Sequence, residues 1–279
     1  MKILKTIKLF IDGQFVRSES GRSFPVNFYD SNKHYAHLCL ASKKDFRGAV
    51  EAAKKGNDSW SSKTAYNRGQ ILYRMAEMCE GKRYEFLGLY KDLLGYSHDA
   101  ANDEIDKAID AFVFYAGFTD KYQQLIGTVN PVSSPHHNFT TPEGVGVTVL
   151  VASDEFKLSS LVDQICSILC SGNSLIVLMG KQCPAMLSPL SEIFATSDLP
   201  AGVVNLLSGD LKELYKTFAE HMEINCISYQ NEDEHLFREM KELGVDNMKR
   251  LVGKNSKRES LDSILNYVEY KTVWHPIGI

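Results

Sequence analysis

The side chains in this sequence best suited to metal ligation or nucleophilic attack are six cysteines. Cys166 and Cys170 lie four residues apart, on one face of a predicted helix, but no histidine and no second cysteine pair lies nearby to complete a zinc site. None of the spacings is CxxC, and a chain of this length does not need disulfides. We expect no metal site and six buried free thiols, at Cys39, Cys79, Cys166, Cys170, Cys183 and Cys226.

A histidine pair, His136-His137, and a cysteine beside a proline, Cys183-Pro184, are further candidates for a site. Adjacent residues of an extended segment face opposite sides, so the two histidines are not expected to share a ligand. Cys183 would lie at the start of a helix, where a thiol can be activated, but we interpret it as a structural thiol.

An acidic run, Glu232-Asp233-Glu234, begins a predicted helix. Carboxylates at a helix N-terminus interact favourably with the helix dipole, each by about 0.3–1 kcal/mol, so we interpret the run as a solvated helix start. The same charges would repel a phosphate from that helix terminus. Three lysines near candidate positions are interpreted as ordinary surface residues: Lys181, Lys249 and Lys254.

The composition is that of a globular protein and excludes several classes of function. The 279 residues are 44% hydrophobic and 24% charged, with 14 Phe and 13 Tyr, so the chain can bury a core. The 35 acidic and 31 basic residues leave no basic surplus for a nucleic-acid partner. No segment reaches the roughly 18 uncharged apolar residues of a membrane span, and the N-terminus lacks the features of a signal peptide. We therefore expect a cytoplasmic protein with neither nucleic-acid nor membrane partners.

The first part of the chain, residues 1–125, starts with short strands and continues as helices. Asp12-Gly13 between two apolar stretches predicts a hairpin over residues 7–16. Apolar residues at helical spacing predict helices over residues 45–59, 68–79, 85–94 and 99–122. An aromatic cluster is interpreted as core and interface: Phe112, Phe114, Tyr115, Phe118 and Tyr122.

Residues 142–255 alternate between apolar strands and amphipathic helices. Strands are predicted over residues 145–151, 174–179, 203–207, 224–229 and 248–252, and helices over 157–170, 184–195, 211–219 and 232–243. Such alternation implies right-handed βαβ crossovers. We predict an α/β domain, a Rossmann-like, doubly wound parallel sheet covered by helices on both faces, with residues 1–125 packed on it as an N-terminal helical layer.

Two extended segments flank this domain and are predicted to form a protruding β-ribbon: residues 126–141, with a turn near Ser133, and residues 265–279. The second segment alternates as a strand does from Leu265 to Trp274 and is rich in Val, Tyr and Trp. A strand of this composition is expected to pair with another strand edge, in this chain or in a partner.

Several motifs, in the correct order, resemble the aldehyde dehydrogenase superfamily along nearly the whole chain. The opening KLFIDGQFV is similar to the family's N-terminal hairpin, and TPEGVGVTVLV to the start of its coenzyme domain. LCSGNSLIVL, LPAGVVNLLSGD and MKRLVGKN are similar to later segments of that domain, and LNYVEYKTVW to the C-terminal oligomerisation strand. The resemblance implies the family's coenzyme-domain fold, NAD(P) as the default cofactor and oligomerisation through the ribbon.

The stretch after LVGKN departs from that family. There, a catalytic domain with the nucleophilic cysteine precedes the oligomerisation strand, whereas here 12 residues separate Lys254 from Tyr267 and no cysteine follows Cys226. The comparison implies that the catalytic domain is absent. The family's general-base glutamate matches Arg250, which cannot accept a proton, and VASDEFKL has no asparagine where the family has its oxyanion-hole asparagine.

The family's cofactor contacts are replaced as well. The lysine and glutamate that hold the adenosine ribose match Leu178 and Lys181, and the Gly-Ser that receives the pyrophosphate matches Asn231 and Glu232. An apolar side chain, a charge reversal and an added carboxylate would each weaken dinucleotide binding. We expect no catalytic residue, no bound cofactor and no metal.

The combination resembles the C-terminal half of family-16 aldehyde dehydrogenases, a second module that lacks most of its catalytic domain. It predicts a non-catalytic pseudoenzyme domain for structure and oligomerisation, free-standing or part of a longer polypeptide, whose partners are further copies or a complete aldehyde dehydrogenase module. The alternative is an NAD(P)-dependent aldehyde dehydrogenase, or a fragment of one, with residual cofactor binding. A third interpretation is a metabolite sensor that uses the crevice at the carboxyl ends of the strands.

Overall fold

A computed structural model describes residues 3–254 and 258–278; the remaining residues, among them the predicted domain limits 1, 255 and 279, lie outside the described part. The strands are β1 (Thr6–Ile7), β2 (Leu9–Ile11), β3 (Gln14–Val16), β4 (Ser23–Asn27), β5 (His34–Cys39), β6 (Thr128–Asn130), β7 (His136–Gly144), β8 (Val147–Val151), β9 (Ser174–Met179), β10 (Val204–Ser208), β11 (Cys226–Tyr229), β12 (Arg250–Val252) and β13 (Val268–Pro276). The α-helices are α1 (Lys43–Ser61), α2 (Ala65–Gly81), α3 (Arg83–Leu89), α4 (His98–Phe118), α5 (Tyr122–Ile126), α6 (Leu158–Cys170), α7 (Leu187–Ala195), α8 (Leu211–Glu220), α9 (Glu234–Leu243) and α10 (Leu261–Leu265). Short turns of other helix types cover Tyr90–Leu94, Pro184–Met186 and Val245–Asn247. A small separate sheet has the order β1-β5-β4.

The main sheet has the strand order β12-β11-β8-β9-β10-β2-β3. From β12 to β10 the strands are parallel, and the chain winds outward from β8 in both directions, with β9 and β10 on one side and β11 and β12 on the other. This is the doubly wound order that the alternation of strands and helices predicts. Every residue of β8, β9, β10 and β11 is buried, which explains their largely apolar sequences.

The N-terminal hairpin extends the same sheet. β2 and β3 pair antiparallel around Asp12-Gly13, whose φ angles of 53° and 71° are those a type I′ turn requires. β2 then pairs antiparallel with β10, and the main-chain N–H of Asp12 donates to Asn205 Oδ1 at 3.0 Å. The sequence predicts this hairpin as part of a layer packed on the domain, and the structure adds that it completes the sheet of that domain.

Helices cover both faces of the main sheet, and each face has its own hydrophobic core. Helices α1, α8 and α9 lie on one face, where the rings of Phe46 and Phe218 are 4.5 Å apart. Helices α6 and α7 lie on the other face, and α2 and α4 pack against them from outside. The predicted aromatic cluster contributes Phe112, Tyr115 and Tyr122 to this second core, and its other two members are half-buried.

The helix predicted over residues 99–122 is divided into two. α4 ends at Phe118 and α5 begins at Tyr122. Between them, the buried Thr119 hydroxyl donates to the carbonyl of Ala116 at 3.0 Å and so satisfies an acceptor that the ending helix leaves free. The helix predicted over residues 85–94 is also divided, into α3 and a π-helical turn that follows it directly. Within the described part of the chain, no helix combines the length and the apolar character that crossing a membrane requires.

The sheet β13-β7-β6, here called the terminal ribbon, is antiparallel. β13 pairs with β7 from Val268 opposite Gly144 to Pro276 opposite His136. β13 begins at Val268 rather than at Leu265, where the alternation starts, because α10 occupies the preceding segment. From Glu269 onward the side chains of β13 are exposed.

Residues 253–267 connect the end of β12 to the start of β13. The described part of this connection contains α10 and the buried Tyr267. A βαβ unit takes about 30 residues, so this connection is shorter than one such unit.

Candidate functional site

The strand order of the main sheet reverses between β8 and β11. At such a point the loops after two parallel strands diverge and leave a crevice at their carboxyl ends. A pocket of about 250 Å³ lies there, with apolar walls formed by Leu150, Phe156 and Leu161. Its charged lining residues are Glu155, Lys157, Asp163, Lys254 and Arg258.

The carboxylate of Glu232 joins the two sides of this crevice. Its Oε1 accepts hydrogen bonds from Ser153 Oγ at 2.7 Å and from Lys254 Nζ at 3.0 Å, and its Oε2 accepts one from the main-chain N–H of Asp154 at 3.4 Å. Burial by itself raises the pKa of Glu232, but the hydrogen bonds from Ser153 and Lys254 outweigh it, and the pKa is lowered overall. Glu232 is therefore an ionised side chain that links the loop after β11 to the loop after β8 and to the residues after β12.

The acidic run lies at the start of α9, with Glu232 and Glu234 exposed as interpreted, and the structure adds the contact of Glu232 with the loop after β8. α9 begins at Glu234, and Asp233 is its N-cap, with Oδ1 accepting from the main-chain N–H of Leu236 at 3.1 Å. Asn231 Oδ1 in turn accepts from the main-chain N–H of Asp233 at 3.1 Å. Glu232 lies before the helix, and its charge is directed to the loop after β8.

Leu178 and Lys181 lie at the carboxyl end of β9. Leu178 is buried in the core, and Lys181 has an exposed side chain, while its main-chain N–H donates to Asp154 Oδ1 at 3.0 Å. Between them, Gly180 approaches the loop after β8 so closely that a Cβ atom would lie 1.9 Å from the carbonyl oxygen of Ser153. The loops after β8 and β9 are thus fixed against each other.

Arg250, at the position matched to the general base, donates to main-chain carbonyls. Its Nη1 donates to Asn266 O at 3.3 Å and to Val268 O at 2.5 Å, and its Nη2 lies 3.6 Å from Glu269 Oε1. A guanidinium keeps its proton at any physiological pH. Arg250 therefore fastens the start of β13 to β12 and offers no proton acceptor.

Sequence reasoning missed two polar residues of α6 that line the pocket. Asp163 is 1% exposed, and its Oδ1 accepts from Tyr115 Oη at 3.0 Å and from the main-chain N–H of Glu259 at 2.8 Å. Its Oδ2 has no hydrogen-bond partner among the described residues, and burial raises the pKa of Asp163. Gln164 Oε1 accepts from Tyr267 Oη at 3.2 Å. The signal was present, since the two residues interrupt the apolar sequence of α6.

The six cysteines are all buried free thiols, as predicted. Burial raises the pKa of Cys183 to about 12, so its place before the turn Pro184–Met186 does not activate it. Within residues 3–254 and 258–278, no group of three or more potential ligands is arranged to hold a metal ion.

His136 and His137 point to opposite faces of β7, as expected for neighbours in a strand. The ring of His136 packs edge-on against Trp274 at 5.8 Å, and that of His137 lies 5.5 Å from Phe139. The two imidazoles therefore do not share a site.

One of the three lysines predicted to be surface residues is buried. Lys249 is 8% exposed, and its Nζ donates to His221 O at 2.9 Å and to Ile224 O. Burial lowers its pKa to about 8. The prediction was wrong for Lys249, which satisfies carbonyls of the segment before β11. Lys181 and Lys254 are exposed, and Lys254 forms an ion pair with Glu232.

Known proteins share this arrangement of strands and helices. The sequence pattern of the "Aldehyde dehydrogenase family" matches residues 15–252, most of the chain. This chain belongs to the aldehyde dehydrogenase family. The resemblance carried by its motifs is thereby confirmed at the level of the family.

Curated members of the family match the chain over most of its own length. Benzaldehyde dehydrogenase, mitochondrial, of Antirrhinum majus is 30% identical over 230 residues, which are 81% of this chain and 42% of that protein. Omega-crystallin of Enteroctopus dofleini is 28% identical over 88% of this chain and 50% of its own. Retinal dehydrogenase 2 of Homo sapiens is 28% identical over 95% of this chain and 52% of its own. The chain spans about half the length of the curated relatives it matches.

Solved structures of the family have the same fold. An NAD+ complex of aldehyde dehydrogenase from Bacillus cereus matches with a TM-score of 0.83 and 25% identity, over 89% of this chain and 50% of that one. A betaine aldehyde dehydrogenase from Staphylococcus aureus matches with a TM-score of 0.82 and 21% identity, over 88% of this chain and 49% of its own. The predicted α/β fold is confirmed by these matches.

Proposed function

We propose that this chain is a non-catalytic aldehyde dehydrogenase-like module, a pseudoenzyme domain that serves structure and assembly. The observation that carries the proposal is the position of Glu232. Its carboxylate accepts hydrogen bonds from Ser153 Oγ, the Asp154 N–H and Lys254 Nζ. A phosphate between the loops after β8 and β11 would need these same donors. By its resemblance to the family, this is where the cofactor's pyrophosphate would lie.

The charges at this position oppose a dinucleotide. Because the pKa of Glu232 is lowered, its carboxylate is ionised at neutral pH, and a phosphate beside it would meet a like charge. At the position matched to a ribose ligand, Leu178 is buried and apolar. The residues present do not fit NAD(P).

The groups that aldehyde oxidation needs are also not available at the pocket. Covalent catalysis requires an accessible thiolate, and all six thiols are buried. At the position matched to the general base, Arg250 donates to two carbonyl oxygens and cannot accept a proton. A nucleophile and a base would both have to come from elsewhere.

In this proposal the terminal ribbon provides the assembly function. Tyr270 and Trp274 are each 58% exposed on β13, which lies at the end of the ribbon sheet. Exposed aromatic side chains on a strand with an open edge favour pairing with a partner. The partner is a further copy of the chain or a complete aldehyde dehydrogenase module, as in the family-16 arrangement that this chain resembles.

A second candidate function rests on the pocket itself. Lys254 and Arg258 line it, and cations at the carboxyl ends of strands can retain an anionic cofactor. The chain would then be an NAD(P)-dependent aldehyde dehydrogenase, or a fragment of one, with residual cofactor binding. The names of two relatives, benzaldehyde dehydrogenase and retinal dehydrogenase 2, support this alternative.

Calorimetric titration with NAD+ and NADP+ separates the two functions. We expect no saturable binding to the wild-type chain. Glu232→Ser removes the charge and leaves a small hydroxyl, so this variant is expected to bind more tightly than the wild type. The matched control is Glu234→Ser, in the first turn of α9, which is expected to behave as the wild type. A micromolar Kd for the wild-type chain would contradict the proposal.

The assembly role is tested by truncation after Val268. This truncation keeps the buried Tyr267 and Val268 but removes the exposed part of β13. Light scattering is expected to show a lower molar mass than for the full chain, alone or mixed with a complete aldehyde dehydrogenase module. If the mass of every such assembly is unchanged, the ribbon does not serve assembly.

A further inference from the structure

β13 is paired along one edge and open along the other. β7 pairs with it from Val268 to Pro276, and β13 is the end strand of the ribbon sheet. From Glu269 onward its side chains are exposed, so no described segment covers the open edge. A strand edge of this length is a template for another strand.

Hydrogen bonds at the two ends of β13 determine which main-chain groups point to the open edge. The N–H of Val145 donates to Tyr267 O at 3.3 Å, and the N–H of Ile277 donates to Pro135 O at 2.9 Å. Residues of an antiparallel strand alternate between those that bond to the neighbour and those that point away from it. The odd-numbered residues of β13 therefore bond to β7. The groups that point to the open edge belong to Tyr270, Thr272 and Trp274.

The open edge is bounded at both ends. The carbonyl of Val268 also points outward, but it accepts a hydrogen bond from Arg250. At the other end, Pro276 has no N–H to donate. The edge that a partner can use is centred on Thr272, the middle residue of β13.

A second copy of the chain can pair with this edge about a twofold axis. Directly opposed residues of an antiparallel pair lie on the same face, so the axis must pass through a residue rather than between two. An axis at Lys271 would oppose this lysine to its own copy, and like charges directly opposite each other are destabilising. An axis at Val273 would oppose Tyr270 to Pro276, which has no N–H to donate to it.

An axis at Thr272 has none of these conflicts. It opposes Tyr270 to Trp274 on one face, two aromatic side chains that are both exposed in the single chain. On the other face it opposes Glu269 to His275 and Lys271 to Val273, so no like charges meet. Aromatic pairs are among the cross-strand contacts that stabilise a sheet.

We propose that β13 pairs antiparallel with β13 of a second copy of the chain, with Thr272 opposite Thr272. The inference rests on the proposed assembly function and names its partner and its register. The pairing joins two terminal ribbons into one continuous sheet, in which the outward N–H and C=O groups of Tyr270, Thr272 and Trp274 are satisfied.

A proline at position 272 tests the pairing. The N–H of Thr272 points away from β7, so Thr272→Pro removes a main-chain donor to the partner and no main-chain donor to β7. The control Thr272→Val keeps the N–H and, like the proline, lacks the hydroxyl that bonds to Thr140 Oγ1 at 2.9 Å, so the loss of this contact is common to both variants. In sedimentation experiments over a range of concentrations we expect a dimer for the wild type and for Thr272→Val. Because two intermolecular hydrogen bonds are lost, Thr272→Pro is expected to raise the dimer Kd by about 10- to 100-fold.

The circular dichroism spectrum and the Tm of Thr272→Pro show whether the variant is folded. Iodide quenching of Trp274 fluorescence gives a second readout, because Trp60 is fully buried and Trp274 is exposed in the single chain. Quenching is expected to be weaker in the wild-type dimer than in the variant. A wild type that stays monomeric, or a folded Thr272→Pro whose Kd equals that of the wild type, would overturn the proposal.

Disulfide trapping tests the register. Opposed residues in a hydrogen-bonded antiparallel pair have Cα atoms about 5.5 Å apart, within the reach of a disulfide. Thr272→Cys is therefore expected to form a covalent dimer under mild oxidation, since the native thiols are all buried. The control is Tyr270→Cys, whose own copy would lie four residues along the strand, about 13 Å away. Cross-linking at 270 but not at 272 would overturn the register.

The outcomes separate this inference from the proposed function. If truncation after Val268 lowers the molar mass while Thr272→Pro does not weaken the assembly, the ribbon assembles by another contact and the pairing of β13 is overturned. If Thr272→Pro weakens the dimer while the wild-type chain binds NAD+ with a micromolar Kd, the pairing is supported and the non-catalytic role fails.

Discussion

The carboxylate of Glu232 accepts a hydrogen bond from the hydroxyl of Ser153 at 2.7 Å, across the point where the strand order of the main sheet reverses. In a doubly wound sheet this point is normally where the loops part to admit a ligand. Here an anionic side chain of the protein itself connects them. The connection fixes the loop after β11 against the loop after β8.

A double-mutant cycle measures this connection. Ser153→Ala and Glu232→Gln each remove one side of the charge-assisted hydrogen bond, and their coupling in urea unfolding is expected to be about 0.5–1.5 kcal/mol. About half of the Glu232 side chain is exposed to solvent, and this screening favours a coupling energy near the lower end of that range. The exposed pair Arg74 and Glu77 serves as a control, with a smaller expected coupling. Equal couplings for the two pairs would show that the Glu232 contact is only a surface interaction.

Arg250→Met is expected to destabilise the attachment of β13. The substitution keeps most of the apolar stem but leaves the carbonyls of Asn266 and Val268 without their donor, at a cost of about 1–3 kcal/mol. The control Arg238→Met changes an exposed side chain on α9 and is expected to shift stability by less than about 0.5 kcal/mol. Urea unfolding measures both, and a similar shift in the two variants would contradict the structural role of Arg250.

Asp163→Asn is expected to change the pH dependence of stability. Burial raises the pKa of Asp163 above the ordinary 3.8, so over the interval between the two values the folded state holds a proton that the unfolded state has lost. The contribution of Asp163 to stability is therefore full below pH 3.8 and is lost as the pH rises through the raised pKa. Asparagine keeps an acceptor for Tyr115 and for the N–H of Glu259 but does not titrate.

The measurement for this prediction is the Tm of both proteins from pH 4 to 7. The Tm of Asp163→Asn minus that of the wild type is expected to increase with pH. The increase is about 2–4 °C for each kcal/mol of unfolding free energy that the wild type loses. A difference that stays constant over this interval would show that Asp163 does not titrate differently in the two states.

The native thiols are expected to be inert towards a thiol reagent such as Ellman's reagent. All six cysteines are buried, and burial raises the pKa of Cys79, Cys183 and Cys226 to about 12, so neither access nor a thiolate is available. We expect no fast reaction in the folded chain and reaction of every cysteine in denaturant. Tyr84→Cys, at a position 87% exposed, provides the internal standard, with one fast thiol. A fast native thiol in the wild type would contradict the burial described above.

The main sheet could be predicted from the sequence because its central strands are buried on both faces. Such strands are continuous apolar runs, and the helices between them have a clear periodicity. The hairpin could also be predicted, since Asp12-Gly13 specifies its turn locally. The pairing of β2 with β10 could not be predicted, because pairing between distant segments leaves no local pattern in the sequence.

The candidate site was predictable only as a set of positions. The resemblance to the family identified Leu178, Lys181, Asn231, Glu232 and Arg250 as substitutions, but motif matches do not describe contacts. The contact of Glu232 with Ser153 depends on loops that the sheet brings together. Lys249 was misassigned for a similar reason, since the carbonyls that hold its ammonium come from the segment before β11.

The link between Asp12 and Asn205 joins residues separated by 193 positions in the sequence. During translation, the hairpin β2-β3 leaves the ribosome long before β10, the strand with which it pairs. Until β10 is made, the apolar residues of the hairpin lack their native contacts. Contacts of such high sequence separation slow folding, because a long loop has to close before they form. The chain is therefore expected to reach its native state only after synthesis has passed β10.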